Sequence, residues 1–125
     1  MDDAERAAQG MTIRREVLGD EHVDRAVAST TPLTEPFQDF ITRYAWGEIW
    51  SRPELSRAER SMITITALVV LRQEHELAMH LRAALRNGVT ADQIREVLLH
   101  TAVYAGVPAA NRAFAIAREV LADAP

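Results

Sequence analysis

Apolar residues recur along this chain at intervals of three and four, the spacing of one face of an α-helix. The first such stretch, Asp3 to Leu18, is polar in its first half and stops near Gly19-Asp20. A short helix over Glu21 to Ala28 follows, and Ser29-Thr30-Thr31-Pro32 reads as a connection. Thr34 is placed to cap the next helix, with Glu35 and Pro36 in its first turn. That helix carries Phe37, Phe40, Ile41, Tyr44 and Ile49, and Pro53 lies just past its end.

Ser56-x-x-Glu59 has the form of a capping box, in which two side chains satisfy orphaned amides at a helix start. The run Met62 to Leu71 that follows holds enough β-branched residues for a strand, but the cap and the length favour a helix. A helix apolar almost all round must be covered on every side, by its own domain or by another subunit. Glu74 to Arg86 comes next and ends at Asn87-Gly88, a strong stop. Thr90-x-x-Gln93 opens a helix through Val103; Gly106-Val107-Pro108 breaks it, and Ala109 to Ala122 forms the last one. With no hairpin signal, the pattern predicts an all-α fold in a single domain spanning residues 1–125.

Composition narrows the function classes. At 48% hydrophobic and 26% charged, the 125 residues can bury a core and are not disordered. No apolar run is long enough for a membrane span and no signal segment opens the chain, so a cytoplasmic protein is the expectation. The absence of cysteine removes disulfides, thiolate metal ligands and thiol redox chemistry. All 14 basic residues are arginine, so no lysine Schiff base or lysine base can operate. Those arginines are dispersed and the net charge is −4, which argues against a nucleic-acid surface.

The stretch Gln73 to His80, Q-E-H-E-L-A-M-H, is one residue away from the H-E-x-x-H zinc signature. In that signature the histidines lie about 40° apart around the helix; His75 and His80, five apart, are separated by about 140°. They do not share an ion, and no metal is expected. Glu76 and His80, at i and i+4, do share a face. A carboxylate there favours the imidazolium and orients the ring, giving a workable proton donor near neutral pH. The ordinary reading is an exposed helix pair worth about 0.2–0.5 kcal/mol, and spacing alone favours it.

Other candidates are weaker alone. Trp46 and Trp50, also four apart, suit a pocket wall or, more ordinarily, a core. Glu59 reads as a cap before it reads as a catalyst. The glycine of Tyr104-Ala105-Gly106-Val107-Pro108 suits a close backbone approach or a simple helix end. Nothing local decides the role of Asn111, and His22 and His100 carry no partner pattern.

The chain resembles the carboxymuconolactone decarboxylase family over about Arg14 to Val120. The resemblance rests on R-R-E-V-L-G-D-E-H-V-D-R-A, F-Q-D-F-I-T-R-Y-A-W-G-E-I-W and E-R-S-M-I-T-I. It continues through H-E-L-A-M-H-L-R-A-A-L-R-N-G-V-T and E-V-L-L-H-T-A-V-Y-A-G-V-P-A-A-N-R-A-F. A related branch, the alkyl hydroperoxide reductase accessory proteins, places a relay glutamate and a Cys-x-x-Cys-x-x-x-His motif on these helices. Counted back from His80, the glutamate position is Ser61 and the cysteine positions are Gln73 and Glu76. Redox activity is thereby excluded, while the shared register favours Glu76 and His80 as a functional pair.

The resemblance implies a multi-helix domain of that type, assembling as a homo-trimer or homo-hexamer. It also implies cofactor-independent decarboxylation of 4-carboxymuconolactone to 3-oxoadipate enol-lactone in protocatechuate catabolism. His80 would donate the proton and Glu76 orient it. Arg60, Arg72 and Arg82, in decreasing order, would hold carboxylates, with Trp46, Trp50 and Asn111 completing the substrate site. The alternatives are a related cofactor-free lyase or isomerase acting on another lactone or keto acid, and a non-catalytic helical assembly module.

Overall fold

A computed structural model describes residues 1–122. Every regular element among them is helical: α1 (Asp3–Leu18), α2 (Asp20–Ala28), α3 (Glu35–Ile41), a π-helix (Thr42–Ile49), α4 (Arg57–Val70), α5 (Glu74–Arg86), α6 (Ala91–Ala105) and α7 (Val107–Ala122). None of the described helices is long and apolar enough to cross a membrane. The chain forms two compact units, Met1–Leu55 and the residues from Ser56 onward.

In the first unit, Asp2 and Glu5 close α1 in a capping box that the sequence pattern did not single out. The buried residues of α1 are Gly10, Ile13, Arg14 and Val17, a single stripe at helical spacing. That stripe meets the π-helix, where Trp46 joins Ile13 and Val17 in a small core flanked by Leu18, Ala45 and Trp50. The two backbones touch at glycines. A Cβ on Gly10 would stand 1.9 Å from the carbonyl oxygen of Thr42, and one on Gly47 2.5 Å from that of Arg6.

Two expectations for this region need correction. Thr34 stands at the start of α3, but its side chain caps nothing in that helix. Its backbone is helical, not extended, and its hydroxyl instead accepts from the amide of Thr31 at 2.9 Å. Nor does an ordinary α-helix run on to Ile49: from Thr42 the chain is a π-helix, closed by the amide of Trp50 donating to the carbonyl of Ala45 at 2.9 Å.

The second unit holds α4 to α7, with α4 packed on α5, α6 and α7, and α7 on α5 and α6. Ile65, Leu81, Ile94 and Leu98 are the largest fully buried side chains of its core, and Ala109, Ala113 and Ala117 let α7 approach closely. Both expected capping boxes are present, Ser56 with Glu59 and Thr90 with Gln93. The ambiguous run Met62 to Leu71 is helical up to Val70, although Ile63 and Val70 stay exposed. Gly88, at φ +95, ends α5 as expected, since only glycine adopts that conformation without strain. The expected break at Gly106-Val107-Pro108 is narrower than the sequence implied. Helix α6 runs to Ala105, Gly106 alone interrupts at φ +99, and Val107 and Pro108 form the first turn of α7. Proline is welcome there because a first-turn amide has no intrahelical partner.

Candidate active site

Helix α5 carries the acid–imidazole pair. Leu77 and Leu81 anchor its inner face, and Glu76 and His80 follow one turn apart along the adjoining face. Glu76 is exposed, and with Glu74 it also supplies negative charge to the first turn, where the helix dipole favours it. His80 is half-buried, with its Nδ1 sealed from solvent. An imidazole so placed can present a proton outward while the body of the ring is held by packing.

Ser61, the position that the sequence register sets against a relay glutamate, is fully buried. Its hydroxyl accepts from Nδ2 of Asn87 at 3.1 Å, which pins the first turns of α4 to the end of α5. A structural hydrogen bond thus stands where a proton relay would need an acid. Arg60, one residue earlier, is half-buried with its Nε out of contact with water.

The other two candidate arginines sit in different settings. Arg72 lies in the turn between α4 and α5 at φ +58, the left-handed region that a non-glycine residue enters only at a cost. It borders a crevice of about 10 Å³, room for one water, together with Leu77 and Arg112. Arg112 in turn holds Glu74 at 2.9 Å, tying α7 to the start of α5. Arg82 is exposed two residues beyond His80, and Asn111 is exposed on α7. A larger open groove of about 390 Å³ runs between α4 and α6 past Met62, Ile63, Thr66, Val97 and His100. Neither Glu76 nor His80 lines the crevice or the groove.

Within the first unit, Trp46 and Trp50 stack with ring centroids 5.2 Å apart. Trp46 is buried and Trp50 half-buried, so the pair serves the local core whatever else it does.

Arg14, to which the sequence pattern assigns no role, is only 5% exposed. The signal was its phase. Gly10, Ile13, Arg14 and Val17 fall on one helix face, so the charge sits inside the apolar stripe.

Comparison with known proteins gives a consistent picture. A sequence model described as "Carboxymuconolactone decarboxylase family" matches residues 35–119. Over 123 residues the chain is 50% identical to a protein of Acinetobacter baylyi named 4-carboxymuconolactone decarboxylase, covering 98% of this chain and 92% of that one. It is 41% identical over 115 residues to a protein of Metarhizium robertsii named nitrosuccinic acid decarboxylase, covering 92% and 80% respectively. A 48-residue sequence from Pseudomonas putida, again named 4-carboxymuconolactone decarboxylase, is 46% identical over its full length and 38% of this chain.

Proposed function

The chain belongs to the carboxymuconolactone decarboxylase family, and from that premise we propose that it is a carboxy-lyase converting 4-carboxymuconolactone to 3-oxoadipate enol-lactone and CO₂. The observation that carries this reading is the 50% identity, over nearly the whole of both chains, with the Acinetobacter protein of that name. The product places the enzyme in protocatechuate breakdown, a cytoplasmic catabolic route. The family match runs across Leu55 and Ser56 and so supports treating the chain as one functional domain.

The substrate explains why no cofactor is required. Its departing carboxylate sits on a ring carbon conjugated through a C=C bond to the lactone carbonyl. When the C–C bond to CO₂ breaks, its electron pair enters the ring, the double bond shifts, and the carbonyl oxygen takes the negative charge. The resulting 2-oxyfuran-like dienolate accepts one proton on the carbon next to the carbonyl, giving the enol-lactone. The protein therefore has to hold a dianion, stabilise charge growing on one oxygen and deliver one proton to carbon.

In this proposal His80 delivers that proton, and Glu76, one turn earlier, orients the ring. Their one-turn spacing and the burial of His80 Nδ1 support the assignment. Arg60, half-buried beside Ser61, is the first choice for a carboxylate, ahead of Arg72 and Arg82. Asn111, exposed on α7, is proposed to help complete the substrate site, the leaving carboxylate lying where water does not stabilise its charge. Homo-trimers or hexamers are part of the same reading. The exposure of Leu99, Val103, Tyr104 and Val107 along α6 and the start of α7 supports an assembly that covers them.

The test is direct. Purified protein incubated with 4-carboxymuconolactone should release CO₂ and accumulate the enol-lactone. A folded protein inert towards it would overturn the substrate, and turnover by the isolated chain excludes a purely structural module. The Metarhizium relative favours one second reading. Nitrosuccinic acid also carries a carboxylate on a carbon that can pass electrons to its own acceptor, the nitro group. Release of CO₂ from nitrosuccinic acid alone would make that the substrate instead.

A further inference from the structure

Four arginines of the first unit, Arg6, Arg15, Arg25 and Arg43, pair with carboxylates. Arg14 does not. It is more deeply buried than any of them, and its guanidinium donates only to two neutral oxygens, Oε1 of Gln38 at 3.0 Å and Oγ1 of Thr42 at 3.3 Å. Its Nε is sealed from water and makes no hydrogen bond. Among the described residues no carboxylate comes within ion-pairing distance of it. Burial pushes its pKa down from the ordinary arginine value, and the neighbouring Arg15 adds to that. A buried cation with unused donors is an expensive arrangement, and proteins keep such arrangements where a ligand completes them.

The surroundings supply room for one. Arg14, Gln38 and Thr42 form part of the wall of an open cavity of about 290 Å³ between α1, α2 and α3, with Met11 and Val27 on its apolar side. That volume suits a small organic molecule and little more. We infer that this cavity is a carboxylate-binding site, taking a small organic acid whose carboxylate docks on the guanidinium of Arg14 beside Gln38 and Thr42. The planar fork matches a carboxylate, and the low-dielectric wall strengthens the contact. Two acids also face the cavity, and neither fills this role. Asp39 is already held by Arg43 at 2.9 Å, and Glu35 lies exposed in the first turn of α3. Glu35 instead opposes an anion at long range, which gives the inference a second handle of opposite sign.

The site is independent of the decarboxylation reading, so its test needs no turnover. Succinate is titrated into the whole protein by calorimetry, with neutral succinamide as the control. The expected result is saturable binding of succinate and none of succinamide. Arg14→Met should weaken binding at least tenfold, and Glu35→Gln should tighten it roughly twofold as one screened repulsion is removed. Ligand-free Arg14→Met should melt no lower than the parent, because a thioether of similar length relieves an unpaired buried charge. In the parent itself, the Arg14 Nε–H resonance should move downfield on titration, an outcome that needs no variant. Absence of succinate binding, equal binding of succinamide, an unmoved Arg14 resonance, or a folded Arg14→Met that binds as the parent does would each overturn the assignment.

Discussion

Replacing Gly10 with alanine should damage the first unit more than any other single added methyl group. The new Cβ would sit 1.9 Å from the carbonyl oxygen of Thr42 and 2.9 Å from the amide nitrogen of Gly47, both of them backbone atoms. A carbon and a carbonyl oxygen approach no closer than about 3.3 Å even in a favourable contact, so α1 must retreat by about 1.4 Å. A gap of 0.5–1 Å already forfeits about a quarter to a half of each dispersion contact across an interface. The contacts at stake here are those of Ile13 and Val17 with Trp46. Strain and lost packing together should cost about 3 kcal/mol, the upper end for overpacked sites. Both tryptophans of the chain, Trp46 and Trp50, lie in this unit, so their fluorescence during urea or thermal unfolding reports on it selectively. The midpoint should fall by roughly 10 °C or more. Gly47→Ala, whose Cβ would stand 2.5 Å from the carbonyl oxygen of Arg6, requires a smaller retreat and should cost less. A Gly10→Ala protein within about 0.5 kcal/mol of the parent, or a harsher effect at Gly47, would refute the backbone-contact reasoning.

Other outcomes follow from single residues. Arg72→Gly removes a side chain from the left-handed conformation at φ +58, so stability should hold or rise by up to about 1 kcal/mol in chemical denaturation. If Arg72 also binds substrate, KM should rise in that stable variant; a loss of stability would instead mean that its side chain is structural. Ser56→Ala breaks the capping box of α4 and should cost about 1 kcal/mol in the same assay. The Glu59 carboxyl is held below its ordinary value of 4.5, first by the Ser56 amide and then by the Ser56 hydroxyl. The stability this brings is therefore present above the ordinary carboxylate range and lost as pH falls through the lowered pKa. In Ser56→Ala the Glu59 midpoint, followed by NMR, should rise toward 4.5, and an unmoved midpoint would contradict the hydroxyl's part.

The local rules were readable because they depend on neighbours in sequence. The end of α1 at Gly19, the capping boxes at Ser56 and Thr90 and the stop at Gly88 all follow from residue types within one turn. The π-helix was not readable. Its five-residue hydrogen bonds are made by the same residue types as an α-helix, and what distinguishes the region is a contact with Gly10, more than thirty residues earlier. Thr34 shows the same limit on a smaller scale: its type is right for a cap, but the Thr31 turn claims its hydroxyl. For the site, helical spacing puts Glu76 and His80 on one face and rejects His75 as a partner. The surroundings of that face depend on packing that no spacing encodes, whereas the burial of Arg14 follows from its phase within the apolar stripe of α1.

The most direct test of the decarboxylation account is the turnover of 4-carboxymuconolactone by His80→Gln, a variant that keeps a polar side chain but has no titratable proton. General-acid catalysis contributes about 10²–10⁴-fold, so kcat should fall at least a hundredfold while circular dichroism and the unfolding midpoint stay close to those of the parent. Near-parental turnover by that folded variant would remove His80 from the chemistry, and with it the acid–imidazole edge of α5 as the place where the proton is delivered.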